Sequence, residues 1–298
     1  MSTTIAGFVL PERDDAARLA RLRRRRAAAS TGWVLCTIAF ALLAIAMGWI
    51  LLMVLVRGIS DLTPTVFTEV TQGTGGGLLN AIEGTVVIGI GSMLLAVPLG
   101  VAAGLYAAQF SHTAFARVIR FFADVLVGVP SIVLGYFGYI TMVEYLGWNF
   151  SLAAACITLA ILCLPYICRT TELALGQVPA AMQEAAFALG AGEGRVAFRI
   201  MLPTALPGIL TGILLAFAIS VGETAPLIYT AGWSSYLWTG QIVRSPVGYL
   251  TYAIWAFINE PFAAANALAY AAAFLVTFMV LLISVGSRLI LQRRAGAG

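Results

Sequence analysis

Glu184 to Pro203 reads EAAFALGAGEGRVAFRIMLP and is the longest polar-rich interruption in a chain that is otherwise almost wholly apolar. Gln183, Glu184, Glu193, Arg195 and Arg199 stand here between two long hydrophobic runs. From Pro179 to Leu189 the residues are strong helix formers, with Pro suited to a first helical turn. Gly190 supplies the left-handed position that ends such a helix. Pro203 and Pro207 lie where the next helix is expected to begin. The stretch thus predicts a short helix, a tight glycine turn and a second short helix, held between two membrane spans.

Composition agrees with that setting. Of 298 residues, 61% are hydrophobic and 10% charged, with mean hydropathy +0.96. Soluble domains carry about 25% charge. So few charged groups cannot clothe a globule of this size, and lipid must be the main solvent. All 17 basic residues are Arg. A P-loop needs its Lys to reach the terminal phosphates of a nucleotide, so this chain cannot bind ATP by that device. The run Gly73-Thr74-Gly75-Gly76-Gly77 is accordingly read as a flexible loop, and any ATPase must be another chain. Cys36, Cys156, Cys163 and Cys168 fall in or at the end of apolar runs without metal-ligand spacing, and His112 is the only His. They are read as small packing residues, with no metal site expected.

Along the chain, residues 1–30 form a basic tail with Arg13, Arg18, Arg21 and Arg23 to Arg26. Its place before a span makes it a topology signal and an anchor for anionic lipid heads. The hydrophobic run that follows is too long for a cleavable signal and lacks a clear cleavage site. Six spans are expected: Trp33–Val56 (within 31–56), Thr85–Ala108, about Phe121–Tyr145, Ser151–Cys168, Leu206–Thr230 and Phe262–Leu291. Residues 57–84 form a Gly-rich external loop, and 85–294 the core that carries the last five spans. Within that core, 173–203 is the cytoplasmic loop and 231–261 an external segment. Val247–Ile258 is too short to cross, and its aromatic content suits a helix lying at the interface. Small residues such as Gly84, Gly89, Gly91, Gly100 and Gly104 let the second span approach its neighbours. With the N-terminus inside, every Arg except Arg57 and Arg244 falls on the cytoplasmic side, as the positive-inside rule requires.

An ionisable residue within a span is costly and a functional candidate by default. Glu223 is such a residue, flanked by Gly222, Thr224 and Pro226. Gly222 loosens the helix and Pro226 removes a donor, so the backbone is expected to kink or unwind, which is tolerated where it lines a cavity. The alternative is a structural Glu paired with a neighbouring helix.

Two sets of residues carry a resemblance. Glu184-Ala185-Ala186, three residues, Gly190, nine residues, Ile200, one residue and Leu202-Pro203 resemble the EAA loop of importer-type ABC permeases. Gly222-Glu223-Thr224-Ala225-Pro226-Leu227 is similar to the signature of the PstA-type phosphate permeases. So are Arg57-Gly58-Ile59, Gly75-Gly76-Gly77-Leu78, Pro130-Ser131-Ile132-Val133 and Arg169-Thr170-Thr171-Glu172, which together span roughly residues 55 to 290. The resemblance implies an all-α integral membrane protein of the type I ABC importer permease fold, with six transmembrane helices and both termini cytoplasmic. It also implies a multi-pass subunit of the bacterial plasma (inner) membrane, with no catalytic residues and no cofactor, ATP and Mg being bound by the partner ATPase.

The implied partners are a second permease of the PstC type, two copies of a PstB-type cytoplasmic ATPase, a PstS-type external phosphate-binding protein and membrane lipids, with no nucleic acid. Glu184, Ala185, Ala186, Gly190, Ile200, Leu202 and Pro203 would couple to the ATPase. Glu223, Thr224, Arg169, Thr170 and Thr171 would serve the translocation pathway. Arg forks meet phosphate oxygens bidentately, so Arg169 is a candidate to attract the ion, its alternative role being a topology and lipid-head anchor. Thr170, Thr171 and Thr224 supply neutral hydroxyls. Family members often carry an Arg four residues before the Glu of Gly-Glu-Thr, and here that place is Ile219. Either the partner permease supplies the positive charge, or this member handles its ion differently. Two other readings stay open: transport of another oxyanion such as molybdate or sulfate, and an ATP-independent carrier or channel, against which the EAA loop argues.

Overall fold

The computed structural model describes residues 15–295. Arg13 of the basic tail lies outside them, as do the side chains of Arg18, Arg288, Arg293 and Arg294. The chain divides into a unit ending at Met53 and one beginning at Val54. Helix α1 (Asp15–Ser60) supplies all the described structure of the first unit, and its described side chains from Arg21 to Met53 are exposed.

The second unit opens with α2 (Pro64–Thr68) and a small antiparallel hairpin, β1 (Thr71–Gln72) against β2 (Gly75–Gly76). The glycine run expected to be a flexible loop is therefore ordered. Gly73 and Gly76 take φ of +60° and +78°, open to glycine without strain. Buried Asn80 fixes the hairpin by accepting from the Thr71 amide at 3.0 Å. Next come α3 (Leu79–Gln109), α4 (Ala114–Gly128), α5 (Ser131–Gly138), which continues as a widened π-type turn over Tyr139–Tyr145, and α6 (Leu152–Gly176). After these come α7 (Ala180–Ala188), α8 (Glu193–Val196), a second π-type segment (Ala197–Met201), α9 (Leu202–Gly222), α10 (Ala225–Thr230), α11 (Leu250–Phe257) and α12 (Ala263–Ala295).

Among the described residues, five helices are long and apolar enough to cross a membrane, and a sixth crossing arises if one bent pair counts as a span. That pair corrects the third expected span. Instead of one helix from Phe121 to Tyr145, α4 begins at Ala114 and the axis turns by 101° between Gly128 and Ser131. Pro130 is the cause: it offers no donor to the preceding turn and biases Val129 to an extended backbone (φ −78°, ψ 125°). The fifth span is also longer at its start than Leu206 implied, running from Glu193 to Gly222. Pro203 stands in the first turn of α9, where the next helix is expected to begin. The wider π-type turn just before it accommodates the missing amide and the ring, so the path stays continuous.

α6 is the centre of the bundle, with two thirds of its apolar window buried (67%). Ser151 caps its first turn by accepting from the Ala154 amide. α3 lies against it through Gly100 and Gly104, where an added Cβ would stand 2.8 Å from Ile167 and 2.6 Å from Thr171. Small residues are what permit such approach between membrane helices. Cys156, Cys163 and Cys168 are buried and free within α6, and Cys36 is free and exposed on α1. The segment after α10 does more than lie at a surface: Leu250, Ala253 and Phe257 of α11 are buried with Ala81, Ala265 and Leu268. Trp233 stacks on Tyr252 at 4.9 Å.

Candidate functional site

Glu223 stands where two interrupted helices meet. α9 ends at Gly222, Glu223 is extended (φ −73°, ψ 135°), and α10 resumes with Pro226 in its first turn. The break expected between Gly222 and Pro226 is thus present. Its freed groups find new partners: Thr251 donates to the Glu223 carbonyl at 2.8 Å, and Leu227 returns to the Thr224 carbonyl at 3.1 Å. Half-buried Glu223 faces Ser131, the first residue of α5 beyond the Pro130 bend. One turn on, Gly135 lets α5 close on α10, where an added Cβ would sit 2.5 Å from the Pro226 Cα. The two stretches Pro130–Val133 and Gly222–Leu227, far apart in sequence, therefore form one locus. Thr224 is half-buried beside it, and Ile219 packs with Ala96, Ala160 and Cys163 in an apolar cluster.

A second locus lies further along α6. Arg169 donates from Nη2 and Nε to Asp124 Oδ1 at 2.5 and 3.1 Å, and from Nη1 to Glu172 Oε2 at 2.9 Å. Arg120 donates from Nε to Glu172 Oε1 at 2.5 Å and reaches the carbonyls of Ala107 and Ser111 at 2.7 and 3.1 Å. Two guanidinium groups and two carboxylates so tie α3, α4 and α6 together with no net charge. Arg169, Arg120 and Glu172 also line a cavity of about 830 Å³, together with Gln183 of α7 and Gln177. Thr170 and Thr171 take other positions. Thr170 donates to the Tyr166 carbonyl at 2.8 Å and packs on Gly212 of α9, and Thr171 is buried against Gly104.

Asp124 falls within the expected third span, Arg120 in the basic loop before it and Glu172 in the motif that closes the fourth, and the sequence alone does not pair them. A signal was available: a carboxylate inside an apolar span requires a partner.

The loop that opened the sequence reading has a defined geometry. Gly190 takes φ +79°. Its amide donates to Phe187 O at 2.9 Å, and Ala191 donates to Ala186 O at 3.0 Å. This pair of bonds is the Schellman closure of a helix. Ala186 is buried with Val196 and Met201, and Ile200 and Leu202 pack on the same cluster. Glu184, Ala185 and Pro203 point outward, beside an exposed apolar rim of Met182, Phe187 and Leu189. The sequence-expected coupling set therefore splits into residues that hold the loop and residues that present it.

Crossing helices, two of them interrupted and facing each other, with an ordered helical loop at one end, define a multi-span membrane permease. Residues 100–296 match the family model of the binding-protein-dependent transport system inner membrane component. The phosphate transport system permease proteins PstA 2 of Mycobacterium bovis and Mycobacterium tuberculosis are each 46% identical over 264 residues, covering 88% of this chain and of theirs. PstA of Yersinia pestis is 40% identical over 250 residues, covering 83% of this chain and 84% of its own. The chain belongs to the binding-protein-dependent transport permease family, and within it to the PstA phosphate transport permeases. As a permease subunit it is not itself an enzyme. Among solved structures, a chain of the inward-facing MetNI methionine ABC transporter has a TM-score of 0.58 at 21% identity. That likeness covers 73% of this chain and 94% of the other. An amino acid ABC transporter crystallised with histidines reaches 0.51 at 20% identity. Both likenesses bear on the fold alone.

Proposed function

We propose that this chain is the membrane-spanning permease subunit of an ATP-driven inorganic phosphate importer of the bacterial inner membrane. The observation that carries the reading is the 46% identity, over nearly the whole chain, to proteins named phosphate transport system permeases. The loop geometry supports the coupling half of it. Glu184, Ala185 and the Met182–Phe187–Leu189 rim form a rigid, outward-facing ridge, braced from beneath by Ala186, Ile200 and Leu202. Gly190 sets the turn and Pro203 continues it into the fifth span. Such a ridge suits a groove on a PstB-type ATPase, two copies of which would bind ATP and Mg. A PstC-type permease would complete the pathway, and a PstS-type protein would deliver phosphate from outside. The Arg distribution favours both termini and this loop on the cytoplasmic side.

The ATPases would close on ATP and move the ridge, and α9 would carry that motion straight to Glu223 because it is continuous with α8. A packed helical element with two arrangements is the physical means of such transmission. Glu223 and Thr224, at the meeting of two broken helices, are the central pathway residues in this reading. Arg169 is the charge at the inner end, and Thr170 and Thr171 set the spacing of α6 from α9 and α3. With Ile219 in place of a basic residue, the fifth span adds no positive charge of its own near Glu223. Selectivity for phosphate is tested by growth rescue of a phosphate-import-deficient bacterium on limiting phosphate, beside uptake of molybdate and sulfate. Rescue with phosphate uptake supports the reading, and uptake of only another oxyanion overturns it.

A further inference from the structure

We infer that Asp124 is the exchangeable counter-ion of Arg169, the carboxylate whose place the transported oxyanion takes at the inner end of the route. This rests on the reading of Arg169 as a pathway residue. Arg169 is held by two carboxylates that differ in kind. Glu172 is 15% exposed, bonds both Arg120 and Arg169, and each of its oxygens is used. Asp124 is 63% exposed and meets Arg169 through a single oxygen, Oδ1, which both Nε and Nη2 share. That Nε–Nη2 edge is the planar fork that binds carboxylate and phosphate in the same way. An exposed ion pair is weak, so its exchange for another oxyanion costs little, whereas removing the buried partner would strand a charge.

The charge count leads to the same residue. With Asp124 in place the four side chains sum to zero. If Asp124 swings away, Arg120, Arg169 and Glu172 leave one net positive charge, matched to one singly charged oxyanion. The cavity of about 830 Å³ that reaches Arg169 gives such an ion room to arrive or leave. Asp124 lies on α4, upstream of the 101° bend at Pro130, so its helix is joined to α5 at a ready hinge. On α9, Gly212, on which Thr170 packs beside Arg169, precedes Glu223 by eleven residues, or about 16 Å of helix axis. The ion would thus pass from a locus without a fixed cation to one whose cation is already shielded, which favours release over trapping.

The test uses the complete transporter in vesicles, with inorganic phosphate on the ATPase side as a product inhibitor and sulfate at equal ionic strength as control. In Asp124→Asn, half-inhibition should occur at a phosphate concentration lower by on the order of fivefold, the scale of one exposed ion pair. Asp124→Glu should restore the original value, and Asp124→Asn should have no effect in a background of Arg169→Gln. An unchanged inhibition constant in an assembled Asp124→Asn transporter overturns the proposal, since a mere brace between helices would leave that constant alone. If Asp124→Asn does not assemble, Asp124→Ser is measured instead, and failure of both shows a structural brace and equally overturns it. A wild-type complex that imports no phosphate overturns the functional reading itself, which separates that failure from failure of the counter-ion idea.

Discussion

Gly135 and Pro226 lie so close that the Cβ glycine lacks would stand 2.5 Å from the proline Cα and 3.0 Å from its carbonyl oxygen. Backbone, not a flexible side chain, is the obstacle, so neither helix can give way cheaply. The contact seats α5 on α10 and so brings Ser131 and Glu223 into one locus.

Gly135→Ala should therefore force the two broken helices apart, at the cost of about 1–3 kcal/mol expected for overpacking. Thermal unfolding of the detergent-purified complex measures it. Gly128→Ala is the comparison, because nothing lies within 4 Å of a Cβ at that position. Equal midpoints for the two variants would show that the contact is not tight.

Glu223→Gln keeps shape and removes charge at the junction of the interrupted helices. As a hypothesis motivated by that position, phosphate uptake should fall about tenfold to a hundredfold, the range for losing a hydrogen bond to a charged group. Assembly with the partner subunits should persist. Uptake kinetics equal to wild type would remove Glu223 from the mechanism.

Gly190 and Gly192 both face open space, but only Gly190 has a positive φ, +79° against −75°. A β-branched residue at 190 should cost about 1–2 kcal/mol through the backbone alone. The ridge from Glu184 to Leu189 would then be misaimed. Gly190→Val is expected to weaken co-purification of the ATPase and to lower ATP-driven uptake, while Gly192→Val should do much less. Parallel losses in both variants would point to bulk rather than turn geometry.

The isolated chain contains no Lys and so has no P-loop cation. Purified alone, it should hydrolyse no ATP above a blank membrane preparation. Turnover that follows the chain through successive purification steps would contradict this.

What was legible in the sequence follows from local rules. The Gly190 stop and the break at Gly222–Pro226 each depend on neighbours within a few residues, and each is found. Pro130 was visible, yet the 101° turn it makes depends on α5 finding a seat on α10, which Gly135 provides from another part of the chain. The continuous start of the fifth span was missed because a widened turn absorbs Pro203, and such turns leave no mark in composition. Glu172 lies three residues from Arg169 and could be paired by helical spacing. Asp124 is 45 residues away, so its place on Arg169 emerges only from packing. Likewise α11 is as aromatic as an interfacial helix, but its partners are the inward faces of α3 and α12.

The central claim is that a cytoplasmic motor grips this permease at the ridge beginning with Glu184. The most direct measurement is labelling of Glu184→Cys by a membrane-impermeant maleimide, with exposed Cys36 replaced to remove background. The account predicts no labelling in intact cells, labelling once the membrane is opened, and protection when the ATPase is bound. Labelling from outside intact cells would place the ridge on the wrong face and contradict the account.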